Sequence, residues 1–225
     1  MEMTRPIRSA GTAGLLDRWL EALRAESDIR SDVSEGLYSH TPLGDARFLN
    51  LRRYLTLMLK QRPAVILVGE APGYRGSRRT GVPFVSEALA SDLASTPYRL
   101  MGGSILLPLL DGPPVSEQTA SVVWRELSNH AKLPLLWAAY PRHPHEVGNP
   151  SSNRTPSGKE VDQFGESLAE LIRISGVSKV VALGNSASRI LKYQGIDHVK
   201  IRHPAHGGAP KFARGMSEIG NARSP

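Results

Sequence analysis

Between residues 64 and 87 the chain reads AVILVGEAPGYRGSRRTGVPFVSE, which gathers a carboxylate (Glu70), an aromatic ring (Phe84) and three guanidinium groups (Arg75, Arg78, Arg79) around a run of glycines. Its apolar opening, residues 64–68, reads as a strand buried on both faces. In open α/β sheets ligands sit just outside the carboxyl ends of the strands, and Glu70 stands at that position. The stretch reads as a glycine-lined pocket with one acid, one ring and a basic rim, or more plainly as a strand-loop-helix turn with a solvated basic face. The loop has neither the GxGxxG spacing nor the Lys-Ser/Thr of a phosphate loop, which makes a nucleotide-binding transferase the weakest reading. Imidazoles form a second concentration of chemistry, at His143-Pro144-His145-Glu146 and His203-Pro204-Ala205-His206. Close-set imidazoles suit a zinc-dependent hydrolase, yet neither group lies on a helix at ligand spacing and prolines stiffen both.

GEAPG followed by TGVPF resembles the first signature motif of the uracil-DNA glycosylase superfamily. IRHPAHGG, residues 201–208, resembles the second, a loop that begins His-Pro after the last strand. The order of the motifs matches as well. The resemblance implies an enzyme that flips uracil out of single- or double-stranded DNA and hydrolyses its N-glycosidic bond. No lysine is placed for Schiff-base chemistry, so a monofunctional enzyme that leaves an intact abasic site is expected. Carried over residue by residue, Glu70 would help activate water and stabilise an oxocarbenium-like sugar, and His203 would donate a hydrogen bond to a uracil carbonyl. Phe84 would stack on the flipped base, in a pocket completed by Gly69, Ala71 and Asn153. Arg75, Arg78, Arg79, Arg142, His143, Arg154, His206 and Lys211 would contact DNA, chiefly its phosphates. The plain alternatives are a first-turn core residue for Phe84, a loop carboxylate paired with arginine for Glu70, a structural histidine for His203, and a solvated surface for the cations.

The chain departs from that pattern at several positions. Ala71 stands where the best-known branch has its catalytic aspartate, so Glu70 must carry the load. Ala138 stands where many relatives place an asparagine that reads uracil, which leaves specificity to backbone groups or to Asn149 or Asn153. GNPSSNRTP resembles a loop of the iron–sulfur branches, but the chain has no cysteine and cannot hold their cluster; neither a cofactor nor a metal is expected. The loop after His203 has no leucine to fill the gap left by a flipped base, leaving His206 or Phe212 as the wedge. Ala71 and Ala138 also motivate a rival function, a non-catalytic DNA-binding relative of the fold.

These side chains need a scaffold. The 225 residues suit one domain, 1–225, with the first ten loose, and the net charge of +7 favours a polyanionic partner. No apolar run has the length of a membrane span or of a signal peptide, so a cytoplasmic monomer is expected. Apolar periodicity predicts helices over 12–26 and 46–61, the second delivering the chain to the strand at 64–68. Residues 27–43 are polar and turn-rich, a connector whose fold the sequence does not fix. A helix is expected from Phe84 to about residue 94, and the apolar run 105–110 stays unplaced. Ser116 is the expected cap of a helix over 116–132, and residues 133–140 read as a buried strand followed by a long proline-rich loop. Ser157 and Glu160 have capping-box spacing and open a helix to about residue 174. A strand over 179–184, a helix over 185–193 capped by Asn185, and a strand over 198–201 complete the chain. Alternating strands and helices predict an α/β fold: three layers, α/β/α, around a central, mainly parallel four-stranded sheet.

Overall fold

The computed structural model of the protein describes residues 9–103, 105 and 113–221. Its elements in chain order are α1 (Ser9–Ser27), β1 (Ser34–Glu35), α2 (Pro42–Lys60), β2 (Val65–Gly69), α3 (Ser77–Thr80), α4 (Glu87–Ser91), α5 (Thr96–Leu100) and α6 (Gln118–Leu127). There follow β3 (Leu135–Ala138), β4 (His143–Pro144), α7 (Gly158–Asp162), α8 (Gly165–Ser175), β5 (Lys179–Leu183), α9 (Gly184–Tyr193), β6 (Val199–Ile201) and α10 (Ala209–Asn221).

The expected sheet forms: four parallel strands in the order β3-β2-β5-β6, flanked by helices on both faces. Ile66, Leu67, Val68, Leu135, Leu136 and Val181 are fully buried, as apolar strands covered on both sides must be. The chain steps from β2 outward to β3, then returns to the other side of β2 to lay down β5 and β6. Between β2 and β5 the winding reverses, and there a crevice opens outside the carboxyl ends of the strands. Trp19 of α1 packs edge-on against Trp137 of β3 at 5.2 Å, so it belongs to the core, as its spacing suggests.

Local rules placed the elements but misjudged several ends. The helix expected at Phe84 starts at Glu87, because Ser86 accepts from the Leu89 N–H and caps it. The cap of α6 is Glu117, whose carboxylate accepts from Thr119 and Ala120 N–H, in place of Ser116. The capping box at Ser157 and Glu160 is present, yet the helix it opens stops at Asp162 and restarts after Phe164, a fully packed residue. Asn185 is not a cap; α9 begins on Gly184. Of the ten residues expected to be loose, 9 and 10 open α1 and the rest lie outside the described residues. The run 105–110 falls outside them too, except for Ile105.

The connector over 27–43 contains β1, which pairs antiparallel with β4 in the register Ser34 with Pro144 and Glu35 with His143. Arg142 locks the same connector. Its guanidinium donates to the Ser34 hydroxyl (3.0 Å) and to the carbonyls of Glu26 (2.9 Å), Ile29 (2.8 Å) and Ser34 (3.1 Å). Only 4% of this residue is exposed, which corrects its assignment as a phosphate contact. Removing it strands several buried carbonyls, each worth about 1 kcal/mol or more. Arg142→Ala should therefore lower stability by roughly 3 kcal/mol in denaturant melts and leave the salt dependence of DNA binding unchanged.

Candidate active site

Gly69 ends β2, and its missing side chain makes room for an aromatic ring. A Cβ there would lie 2.6 Å from Cζ of Phe84, so the ring rests directly on the strand end. Phe84 holds this place with φ +56, a left-handed conformation that costs a bulky residue about 1–3 kcal/mol. Two hydrogen bonds secure it: its N–H donates to the Ser77 hydroxyl (3.0 Å), and the Trp124 indole donates to its carbonyl (2.8 Å). Phe84 is thus a half-buried loop residue lining a cavity of about 450 Å³, not the first turn of a helix.

Glu70, Ala71 and Asn153 line the same cavity, together with Ala138, which pairs with Gly69 across the strands. One carboxylate oxygen of Glu70 is buried without a hydrogen-bond partner. Burial holds its pKa above the ordinary carboxylate value, although the Thr155 and Ser186 hydroxyls and the Arg189 charge favour the anion. Asn153 reaches across from the long loop, and its Oδ1 accepts from the Tyr74 N–H at 3.0 Å. The sequence motif and the proline-rich loop therefore close one wall together.

His203 enters from the other side, beyond the end of β6. Its Nδ1 accepts from the Ala205 N–H at 3.1 Å, so the neutral ring carries its proton on Nε2. Burial lowers its pKa, which favours that neutral form, while Glu117 on the cavity wall pulls the other way. Gly184 makes room for the imidazole: its φ is +86, and a Cβ would fall 2.8 Å from that of His203. The cavity thus holds a carboxylate with raised proton affinity, a neutral N–H donor and an aromatic platform.

The cations divide sharply. Arg75 and Lys211 are exposed, and His206 stands exposed at the cavity mouth with φ +53. Arg78 is paired with Glu35 and Arg79 with Glu87, each at 2.6 Å, and Glu87 is only 3% exposed. Arg154 commits its guanidinium to Glu160, whose pKa falls to about 2, and to the carbonyls of Val33, His145 and Thr155. His143 is fully buried, with its ring nitrogens 2.8 and 3.0 Å from the carbonyls of Pro72 and Pro150; it ties two loops together and cannot meet a phosphate. Phe212 is also fully buried, which removes it as a wedge and leaves His206. Among the described residues no group of three or more His, Cys, Asp and Glu has a metal-binding arrangement.

Sequence reasoning missed Glu117, Asn185, Ser186 and Arg202, all of which line the cavity. Asn185 and Ser186 follow a strand end directly, the signal that singled out Glu70, and an acid just before the apolar run of α6 is an ordinary helix-start signal. No described helix is long and apolar enough to cross a membrane. Among known proteins, the family model described as the Uracil DNA glycosylase superfamily matches residues 58–215, which span both walls of the cavity. No curated protein sequence matches the chain.

The burial of Glu70 bears on stability as well. The folded protein takes up its proton at higher pH than the unfolded chain does. Above the folded pKa the desolvated anion, with one oxygen lacking a partner, destabilises the fold, and the penalty fades as pH falls through that pKa. Glu70→Gln should accordingly be more stable than wild type at pH 7, by about 1 kcal/mol, and the gap should shrink in thermal melts at lower pH.

Proposed function

We infer that this chain, which belongs to the Uracil DNA glycosylase superfamily, is a DNA glycosylase that removes uracil from DNA and leaves an abasic site. The observation that carries the reading is one cavity at the sheet's reversal point with Glu70 and His203 on its walls and Phe84 across the end of β2. A uracil stacked in the helix is out of reach, so the nucleotide must swing out, and Phe84 offers the flipped ring a face to stack on. As the C1′–N1 bond stretches, its electron pair moves onto the base and positive charge grows on the sugar. The Nε2–H of His203 answers the first charge by donating to a uracil carbonyl. The Glu70 carboxylate answers the second and orients the water whose oxygen adds to C1′. One of the water's protons stays on the new C1′ hydroxyl, and the other is released as the departing base takes up one, so that uracil leaves neutral. No lysine is among the described residues lining the cavity, which supports a monofunctional enzyme that leaves the strand uncut.

The exposed cations Arg75, Arg202, His206 and Lys211, of which Arg202 and His206 line the cavity, are the proposed phosphate contacts, and the cytoplasm is the proposed compartment. A second reading, a DNA-binding relative without turnover, is favoured by Ala71 and Ala138. The two separate cleanly on an oligonucleotide carrying a single uracil, incubated in EDTA and treated with alkali to reveal abasic sites. The enzyme should release uracil, with His203→Ala slower by roughly 10²–10³-fold and Glu70→Ala by a comparable factor. Salt-sensitive binding by wild type without any base release would establish the second reading instead.

A further inference from the structure

A second cavity opens at the other end of the sheet. Val65 lines it and Gly69 lines the first, so roughly 13 Å of β2 separates the two at the rise of an extended strand. The four strands are parallel, and their amino ends gather on this side, away from Glu70 and His203. The floor is apolar: Val65, Leu133 and Pro134 beside the strand starts, with Met216 and Ile219 from α10. The carbonyl of Ala64, also in the wall, is already used. It accepts from the Ser178 and Lys179 N–H groups and from the Ser178 hydroxyl.

The charged side chains at this cavity have one sign. Lys132, Lys179 and His130 line it, and among the described residues no acid does. Glu126, one turn before His130, is taken by that imidazole at 3.3 Å. Neither ammonium group has a hydrogen-bond or ion-pair partner among the described residues, and Lys179, beside Val65 at the start of β5, is half-buried. A lysine at a cavity edge can satisfy its ammonium group with water alone. Two of them around an apolar floor, with no acid between, make a receptor for an anion that carries an apolar group.

Size decides what kind of group that is. The cavity measures about 220 Å³, below the roughly 300–1,000 Å³ of sites that enclose a small molecule or cofactor. It suits a single large side chain. An apolar anchor seated in a small pocket, with charge around it, is how protein partners hold the centre of an interface. We propose that this cavity docks a partner protein through an acidic peptide segment with an apolar anchor, Lys132 and Lys179 pairing with its carboxylates. The net charge of +7 draws acidic segments toward the whole molecule, and the anchor selects this face. A partner held at the amino ends of the strands leaves the carboxyl ends open, so docking and DNA binding are compatible.

The test is fluorescence anisotropy with a fluorescein-labelled peptide, Asp-Asp-Leu-Phe-Glu-Glu. Two controls run beside it: the charge-inverted Lys-Lys-Leu-Phe-Lys-Lys and the anchorless Asp-Asp-Ser-Ser-Glu-Glu. The first peptide should bind wild type at least about tenfold more tightly than either control. The double variant Lys132→Glu, Lys179→Glu should weaken it by at least about tenfold, with thermal unfolding unchanged. A saturating uracil-free oligonucleotide should leave the peptide bound. Equal affinity for the anchorless peptide overturns the proposal and assigns the attraction to net charge. Displacement by the oligonucleotide overturns it and assigns the attraction to the DNA-binding face. Binding that survives the double substitution, or no binding of the first peptide at all, also overturns it. The wild-type peptide panel decides independently of whether the variant folds.

Discussion

The close approach of Phe84 to Gly69 is the constraint on which the cavity depends. Any side chain at the end of β2 would push the ring away by the width of a methyl group. The ring in turn requires a left-handed backbone at residue 84, and Ser77 and Trp124 hold that conformation. Strain of this kind persists only where the surroundings over-determine it. Here α3, α6 and the strand end do so together, so the aromatic platform comes from packing and not from a helix.

Charge is the second organising force, and part of it is turned inward. The chain carries a net +7, which suggests a broadly basic surface. Yet Arg47, Arg78, Arg79, Arg142 and Arg154 hold loops against one another through Glu35, Glu87, Glu160 and backbone carbonyls. Such guanidinium groups brace the loops that carry the site. A smaller set of cations stays exposed, with Arg202 and His206 lining the cavity.

The site combines groups that the fold stabilises with one it does not. His203 is neutral, hydrogen-bonded and fitted against Gly184. Glu70 keeps a buried oxygen without a partner and an elevated proton affinity. A carboxylate held ready in this way fits a role that arises only when positive charge appears on the substrate, and stability is sacrificed to it.

The sequence alone determined the four strands, their parallel arrangement and the place of Glu70 at a strand's end, because short apolar runs bounded by glycine and proline are local signals. It also determined which motif pair the chain carries and, through Ser157 and Glu160, one capping box. The tertiary structure decided which cations face outward: Arg75 and Arg142 look alike in sequence, but a side chain's partner lies a hundred residues away in the second case. It decided that Phe84 stands in a loop, that the helix after Ser157 breaks at Phe164, and that β1 pairs with β4. It also fixed the facing of Asn153, which depends on a Tyr74 N–H that only the folded chain brings within reach, whereas the tautomer of His203 follows from a local contact with the Ala205 N–H. Local pattern specifies the elements; non-local hydrogen bonds specify the chemistry.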